Sequence, residues 1–416
     1  MKKALRWLGI ALLLVVAAGV AAAAYVAVSP IPSYPVVKVD FPVDVTPERV
    51  ARGKRSVEML CAGCHMDSAT GGLTGKRMLD LPARFGEAWS RNITAHPVKG
   101  IGGWTNGEIA YLLRTGVARD GRYTPPWMVK LPNASDADLR DIIAFLRSDD
   151  PLVQARDVDS RESKPSFLGK VLCRVTFKPF PYPARPVAAP PPHDEVAYGG
   201  YLVNSRLLCY GCHSADFTTN DDLHPEKSAG YLGGGNAMPD IGGKLVPTAN
   251  LTPDGETGIG RWTAEEFRRA LKEGIRPDNR PLRYPMVPFR PLADEEADAI
   301  FAYLRSVPSI RNKVKAPEAY ALTGDAGKQV YYAYGCNGCH GDTGEGQYDL
   351  RRGPLRYPTD DELIAWIKHP ERLRPGIIMP TWEGVIKEEE YPPLAAYVRS
   401  LAKPGPAAAS VPAVAR

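Results

Sequence analysis

Three pentapeptides carry the residue types best suited to chemistry: Cys61-Ala62-Gly63-Cys64-His65, Cys209-Tyr210-Gly211-Cys212-His213 and Cys336-Asn337-Gly338-Cys339-His340. Two cysteines three apart on one turn can each add a thiol across a vinyl group of a haem, and the adjoining histidine then meets the iron from the same side. With 7 Cys and 7 His in 416 residues, chance matches to this spacing number roughly 0.002. A structural zinc site would fold two such motifs onto one ion, and a thioredoxin-like pair would sit in a βαβ pattern without the histidine. Motifs more than about 120 residues apart suit neither. The expectation is three covalently bound haem c groups, on Cys61 and Cys64, Cys209 and Cys212, and Cys336 and Cys339, with His65, His213 and His340 as axial ligands.

The sixth iron ligand decides between an open, reactive iron and a closed electron carrier. An internal repeat supplies candidates. A shift of 158 positions carries Asn92 onto Asn250, Thr94 onto Thr252, Gly100-Ile101-Gly102 onto Gly258-Ile259-Gly260, Trp104-Thr105 onto Trp262-Thr263 and Met128 onto Met286. Without a gap it also carries Ala144–Ser148 onto Ala302–Ser306. In the third region Ile377-Ile378-Met379-Pro380 stands 18 residues before Tyr397, against 17 from Met128 to Phe145 and from Met286 to Tyr303. Met128, Met286 and Met379 are therefore the expected thioether ligands. Met59, Met66, Met78 and Met238 lack repeated counterparts and read as packing residues. His96, His193, His224 and His369 read as surface or linker residues. Histidine–methionine ligation closes the iron and makes one-electron transfer the expected chemistry, with no catalytic residue assigned.

The elements that must position these residues are short helices. Thr105 and Glu108, Thr263 and Glu266, and Thr359 and Glu362 form the capping-box pattern ahead of apolar helical periodicity. Thr46 and Pro47 read as the N-cap and first turn of a helix delivering Cys61. The closing helices, Asp136–Ser148 and Asp294–Ser306 among them, are expected to pack across the helices that precede the motifs. Gly53, Gly199 or Gly200, and Gly327 would permit that close crossing, with Phe145, Tyr303 and Tyr397 as partners. The fold expected is mainly α, with three tandem cytochrome c-like domains at 46–148, 196–307 and 324–402, after an N-terminal transmembrane or signal helix at 1–30.

Trp7 to Val28 is an apolar run behind Lys2, Lys3 and Arg6. It is long enough to span a bilayer, and Ala21–Ala24 also offers a cleavage site; the length favours an uncleaved anchor over a cleaved signal. Either exports the remainder, to the periplasmic side of a bacterial inner membrane. Residues 29–45 suit a short stalk. The Pro-rich linker 149–195 is expected to be an extended strap over the first two domains, with the unpaired Cys173 as a small buried residue. Residues 308–323 form a second linker, and the Ala/Pro tail 403–416 reads as disordered. The formal charge of +5 falls to about +2 without the leader cations, and six haem propionates would turn it negative. Net charge thus gives no support to nucleic-acid binding.

With its three Cys-x-x-Cys-His motifs, the segment Asn250-Leu251-Thr252-Pro253-Asp254 with Thr257-Gly258-Ile259-Gly260 and Trp262-Thr263, and the spaced methionines, the chain resembles a known group. These are the three-haem membrane-bound cytochrome c subunits of bacterial alcohol, aldehyde and gluconate dehydrogenases, in the mono- and dihaem cytochrome c superfamily. The resemblance implies a relay between a dehydrogenase or quinol and a downstream oxidase or soluble cytochrome. It also implies that the Pro354 carbonyl accepts the ring N–H of His340, as a proline does in monohaem cytochromes c. Trp104, Trp262 and Trp366 have two roles open to them, donation to haem propionates and plain packing. The alternative function is a haem peroxidase-like redox enzyme with one open-coordinate haem.

Overall fold

A computed structural model describes residues 2–67, 69–240, 244–315, 324–346, 348–373 and 379–402. The tail, much of the second linker and Ile377-Ile378 lie outside the described residues. Helix α1 (Lys2–Val28) is long and apolar enough to cross a membrane. The segment after it is not a free stalk. Tyr34 donates its amide to the Gly121 carbonyl at 2.8 Å and sets its ring edge-on to Tyr123, and Phe41 is buried in the first core. Prolines keep this stretch from coiling, and its apolar residues cover a face that the first unit leaves open.

The first unit is framed by α2 (Pro47–Leu60) and α5 (Asp136–Leu146), with α3 (Ala62–His65) and α4 (Asn106–Thr115) between them in the chain. Thr46 caps α2 through the Arg49 amide, and the Thr105–Glu108 capping box opens α4. The crossing of α2 and α5 depends on Gly53: a Cβ there would lie 1.8 Å from the Asp141 carbonyl oxygen and 2.9 Å from Phe145 Cβ. Buried beside it, the Asp141 carboxylate accepts from Arg49 at 3.1 Å and Arg52 at 2.6 Å. Val57, Leu73, Leu139, Ile143 and Phe145 complete this core, each large side chain contributing about 1.5–3 kcal/mol.

The strap 149–195 does run from one unit to the next, but it is not extended throughout. The Asn92 amide nitrogen donates to the Arg156 and Val158 carbonyls, and β1 (Gly86–Glu87) pairs antiparallel with β2 (Lys164–Pro165). Helix α6 (Phe167–Val175) follows, with Cys173 fully buried, and Ala189 reaches the second core.

The second unit repeats the first. Helix α7 (Glu195–Tyr201) continues through a π turn at Leu202–Arg206 to α8 (Cys209–His213); the β3 (Ala237–Pro239) and β4 (Leu245–Pro247) hairpin, α9 (Ala264–Arg268) and α10 (Asp294–Ser306) follow. A Cβ at Gly199 would lie 1.8 Å from the Ala299 carbonyl oxygen and 2.9 Å from Tyr303 Cβ. The repeat extends to individual backbone bonds: Ile101 N to Thr94 O at 2.9 Å matches Ile259 N to Thr252 O at 3.0 Å. The third unit comprises α11 (Ala326–Ala333), α12 (Asn337–His340), α13 (Gly353–Arg356), α14 (Asp360–Lys368), α15 (Pro370–Leu373) and α16 (Tyr391–Ser400). It keeps the crossing, with a Cβ at Gly327 falling 1.9 Å from the Pro393 carbonyl oxygen and 2.8 Å from Tyr397 Cβ. Its core also takes in Ile275 from the second unit.

Candidate haem sites

Each motif is a single helical turn that follows the opening helix of its unit, so both cysteines and the histidine project from one short segment. All three histidines use Nδ1 in the same way. His65 meets the Arg91 carbonyl at 2.7 Å, His213 the Ala249 carbonyl at 2.8 Å and His340 the Tyr348 carbonyl at 2.7 Å. An Nδ1–H donated to a carbonyl fixes the tautomer and leaves the Nε2 lone pair free for a metal. Burial lowers the pKa of each imidazole, which favours the neutral, ligating form.

A second backbone contact holds each ring's own loop. Gly75 N donates to His65 O at 2.8 Å, Gly234 N to His213 O at 2.7 Å and Gly346 N to His340 O at 2.8 Å. At Gly75 and Gly234, φ is +86° and +71°, and a Cβ would collide with the strand that carries the accepting carbonyl.

The cysteines are half-buried and unpaired. Burial, with the neighbouring cysteine second, pushes Cys61 and Cys209 up to about 12, and Cys336 behaves alike. Burial alone pushes Cys339 to about 12 and Cys212 to about 11. Thioether formation with a haem vinyl group would consume each of these thiols. Among the described residues no cluster of three or more metal-ligating side chains exists. The indole Nε1 of Trp366 is buried with no hydrogen-bond partner, an orphaned donor of the kind a carboxylate-bearing cofactor would satisfy. These features fit haem.

The expected sixth ligands are placed unequally. Met286 packs against the second core together with Cys209, and Met379 against the third together with Cys336. Met128 occupies the turn equivalent to that of Met286, its amide donating to Pro125 O as Met286 N donates to Arg283 O, but it is not among the residues packed on the first core. Met59 and Met66 do pack on cores, as their lack of repetition implied. His96 accepts the Val98 and Lys99 amides through Nδ1, the role of the Asp254 carboxylate in the second unit. His369 meets Glu383 at 2.9 Å, and His193 and His224 are exposed.

One expectation is corrected. The acceptor for His340 is Tyr348, and the Pro354 carbonyl instead receives Arg399. Pro354 is held at the start of α13, while Tyr348 turns its carbonyl back onto His340. A backbone acceptor has no residue type to search for. The available signal was the repeat, which equates Arg91 with Ala249.

The three motifs meet. Leu60 and Leu208, each next to a motif cysteine, pack against both the first and the second core, and Arg206 bonds Glu296 at 2.5 Å and Ser56 at 3.3 Å. Between the first and third motifs, the Tyr348 hydroxyl lies 3.7 Å from the Cβ position of Gly63, while its own carbonyl holds His340; Lys76 sits over its ring at 4.8 Å. Tyr284, beside Met286, donates to Asp80 at 2.7 Å and packs 3.3 Å from the Cβ position of Gly338. Burial raises the pKa of both tyrosines, which keeps the phenols neutral. Sequence reasoning missed this junction, since its members belong to no motif or repeat.

A mainly helical chain with Cys-x-x-Cys-His turns under crossed helices has the arrangement expected of a c-type cytochrome. Residues 50–149 match the Cytochrome c family, and residues 323–398 match the family described as Cytochrome C oxidase, cbb3-type, subunit III. The chain is 28% identical to the fructose dehydrogenase cytochrome subunit of Gluconobacter japonicus, over 66% of this chain and 54% of that protein. It is 28% identical to the alcohol dehydrogenase (quinone), cytochrome c subunit of Gluconobacter oxydans, over 69% and 62%, and 29% identical to the gluconate 2-dehydrogenase cytochrome c subunit of Pantoea cypripedii, over 59% and 56%. The chain thus spans less than two thirds of the length of these relatives. It is similar to cytochrome c proteins over the two matched regions, and to the cytochrome c subunits of these dehydrogenases over more than half of its length.

Proposed function

We propose that the protein is a membrane-anchored three-haem cytochrome that relays single electrons from a dehydrogenase or quinol to an oxidase or soluble cytochrome on the periplasmic side. The observation that carries this reading is the shared arrangement of His65, His213 and His340, each with Nδ1 on a backbone carbonyl and two half-buried cysteines on the same turn. Bound haem supplies a one-electron iron couple, and Met128, Met286 and Met379 are the proposed sixth ligands. The contacts of the first motif with both others support a route centred on the first haem rather than one that follows chain order. The residues around α1 support an uncleaved anchor, since the chain just after it is packed on the first unit.

Two measurements test the proposal. Haem stoichiometry by pyridine haemochrome and intact mass should give three covalent haems; two would sink it. Optical and EPR spectra should show three low-spin histidine–methionine centres. The position of Met128 outside the first core favours one second reading, a peroxidase-like first haem. A high-spin, peroxide-reactive signal lost in His65→Ala would establish that reading instead.

A further inference from the structure

The strap helix α6 is built the wrong way round for a helix on a soluble surface. Its inner face is small: Gly169 and Cys173, four apart, are buried, and a Cβ at Gly169 would lie 2.9 Å from the Phe85 carbonyl oxygen. Its outer face is apolar. Phe167, Val171 and Val175 recur every fourth residue and so share one side of the helix, with Leu168 adjacent. Phe167 is 49% exposed, Leu168 42% and Val175 67%. Lys170 and Arg174 flank this face, and the Thr176 cap and Lys178 follow it.

The position of α6 says what covers that face. Lys170 Nζ donates to the Ala27 carbonyl at 2.7 Å. Arg174 donates to Ser29 Oγ at 2.5 Å and to the Pro30 carbonyl at 2.6 Å, and its guanidinium lies over the Tyr25 ring at 5.8 Å. These are the last turn of α1 and the two residues beyond it. A helix with exposed Phe, Leu and Val, bordered by Lys and Arg, and tied to the point where a membrane span leaves the bilayer has the features of an interfacial helix. An aromatic ring at Tyr25 suits the same depth.

We propose that α6 lies in the headgroup layer of the membrane that α1 spans, with Phe167, Leu168, Val171 and Val175 turned toward the acyl chains and the basic residues beside lipid phosphates. The haem units are then held against the membrane surface through the strap, by the pairing of β1 with β2 and by the buried face of α6. The inference rests on the reading of α1 as an anchor.

The test uses the full-length holoprotein in nanodiscs of phosphatidylethanolamine and phosphatidylglycerol. Nitroxide labels are placed at Leu168→Cys, Val175→Cys and, for the anchor, Val15→Cys in the middle of α1, in a Cys173→Ala background, with haem spectra showing each variant folded. The labels at 168 and 175 should be relaxed severalfold more effectively by oxygen than by a water-soluble nickel chelate. Chelate-accessible labels at both positions overturn the proposal, whatever else occupies the face, a protein subunit included. If Val15 remains lipid-exposed in that case, only the α6 proposal fails; if Val15 is also chelate-accessible, the anchor reading fails with it.

Discussion

The third unit does with eight residues what the first two do with 26 and 36. Those are the distances from His340 to Tyr348, His65 to Arg91 and His213 to Ala249, the three carbonyls that hold the ligand rings. The longer loops let the Asn92 and Asn250 side chains tie their own turns to the chain that leaves the unit. The compact third unit borrows. Ile275 of the second unit fills part of its core, Arg290 of the second unit holds the Met379 carbonyl at 2.7 Å, and its Tyr348 reaches the first motif. A short loop saves chain but leaves surface that neighbours must cover.

The helix crossing is where the units should behave alike, and there the largest effect is expected. Gly53→Val, Gly199→Val and Gly327→Val each force a side chain into a carbonyl contact under 2 Å, so each should lose at least about 3 kcal/mol and one haem equivalent. Calorimetry with haem quantification reads this. A tolerated substitution in one unit alone would break the equivalence of the three crossings.

Arg290→Ala should separate the units. It removes charge-assisted bonds to Met379 O and Thr381 Oγ1 from a half-buried site, a loss of about 1.5–3 kcal/mol. In a redox titration followed spectroscopically, the third haem alone should shift or lose its methionine signature. Equal changes in all three would show that the third unit is not the dependent one.

Acid should loosen the hold of the second unit on Arg206, the side chain that reaches Ser56 of the first. Burial raises the pKa of Glu296, but the charge of Arg206 and its hydrogen bond outweigh that, so the carboxyl ionises below its ordinary 4.5. A depressed carboxyl pKa contributes stability that is present above 4.5 and lost as pH falls through the lower, folded value. Glu296→Gln should flatten the acid limb of a pH-dependent melting curve by about 1–2 kcal/mol relative to the parent. An unchanged limb would place the acid sensitivity elsewhere, and the ties of the third unit would be the next to examine.

The smallest expected effect is the most uniform. Thr105→Ala, Thr263→Ala and Thr359→Ala each remove one capping box and should cost about 1 kcal/mol. Parallel urea melts would read these losses. A markedly larger loss at Thr359 would fit a third unit with less core to spare.

Features built from side-chain type at fixed spacing were legible in the chain itself. The motif turns, the capping boxes, the crossing glycines with Phe145, Tyr303 and Tyr397 as partners, the burial of Cys173 and the duplication of the first two units follow from residue identity and local periodicity. The tertiary structure decided the rest. It chose Tyr348 over Pro354 as the acceptor for His340, wrapped residues 29–45 onto the first unit, gave the strap a helix at the foot of α1, and gathered the first and third motifs around Tyr284, Asp80 and Tyr348. Each of these depends on backbone carbonyls or on lone side chains far apart in sequence. A carbonyl is the same on every residue, and only packing determines which one arrives.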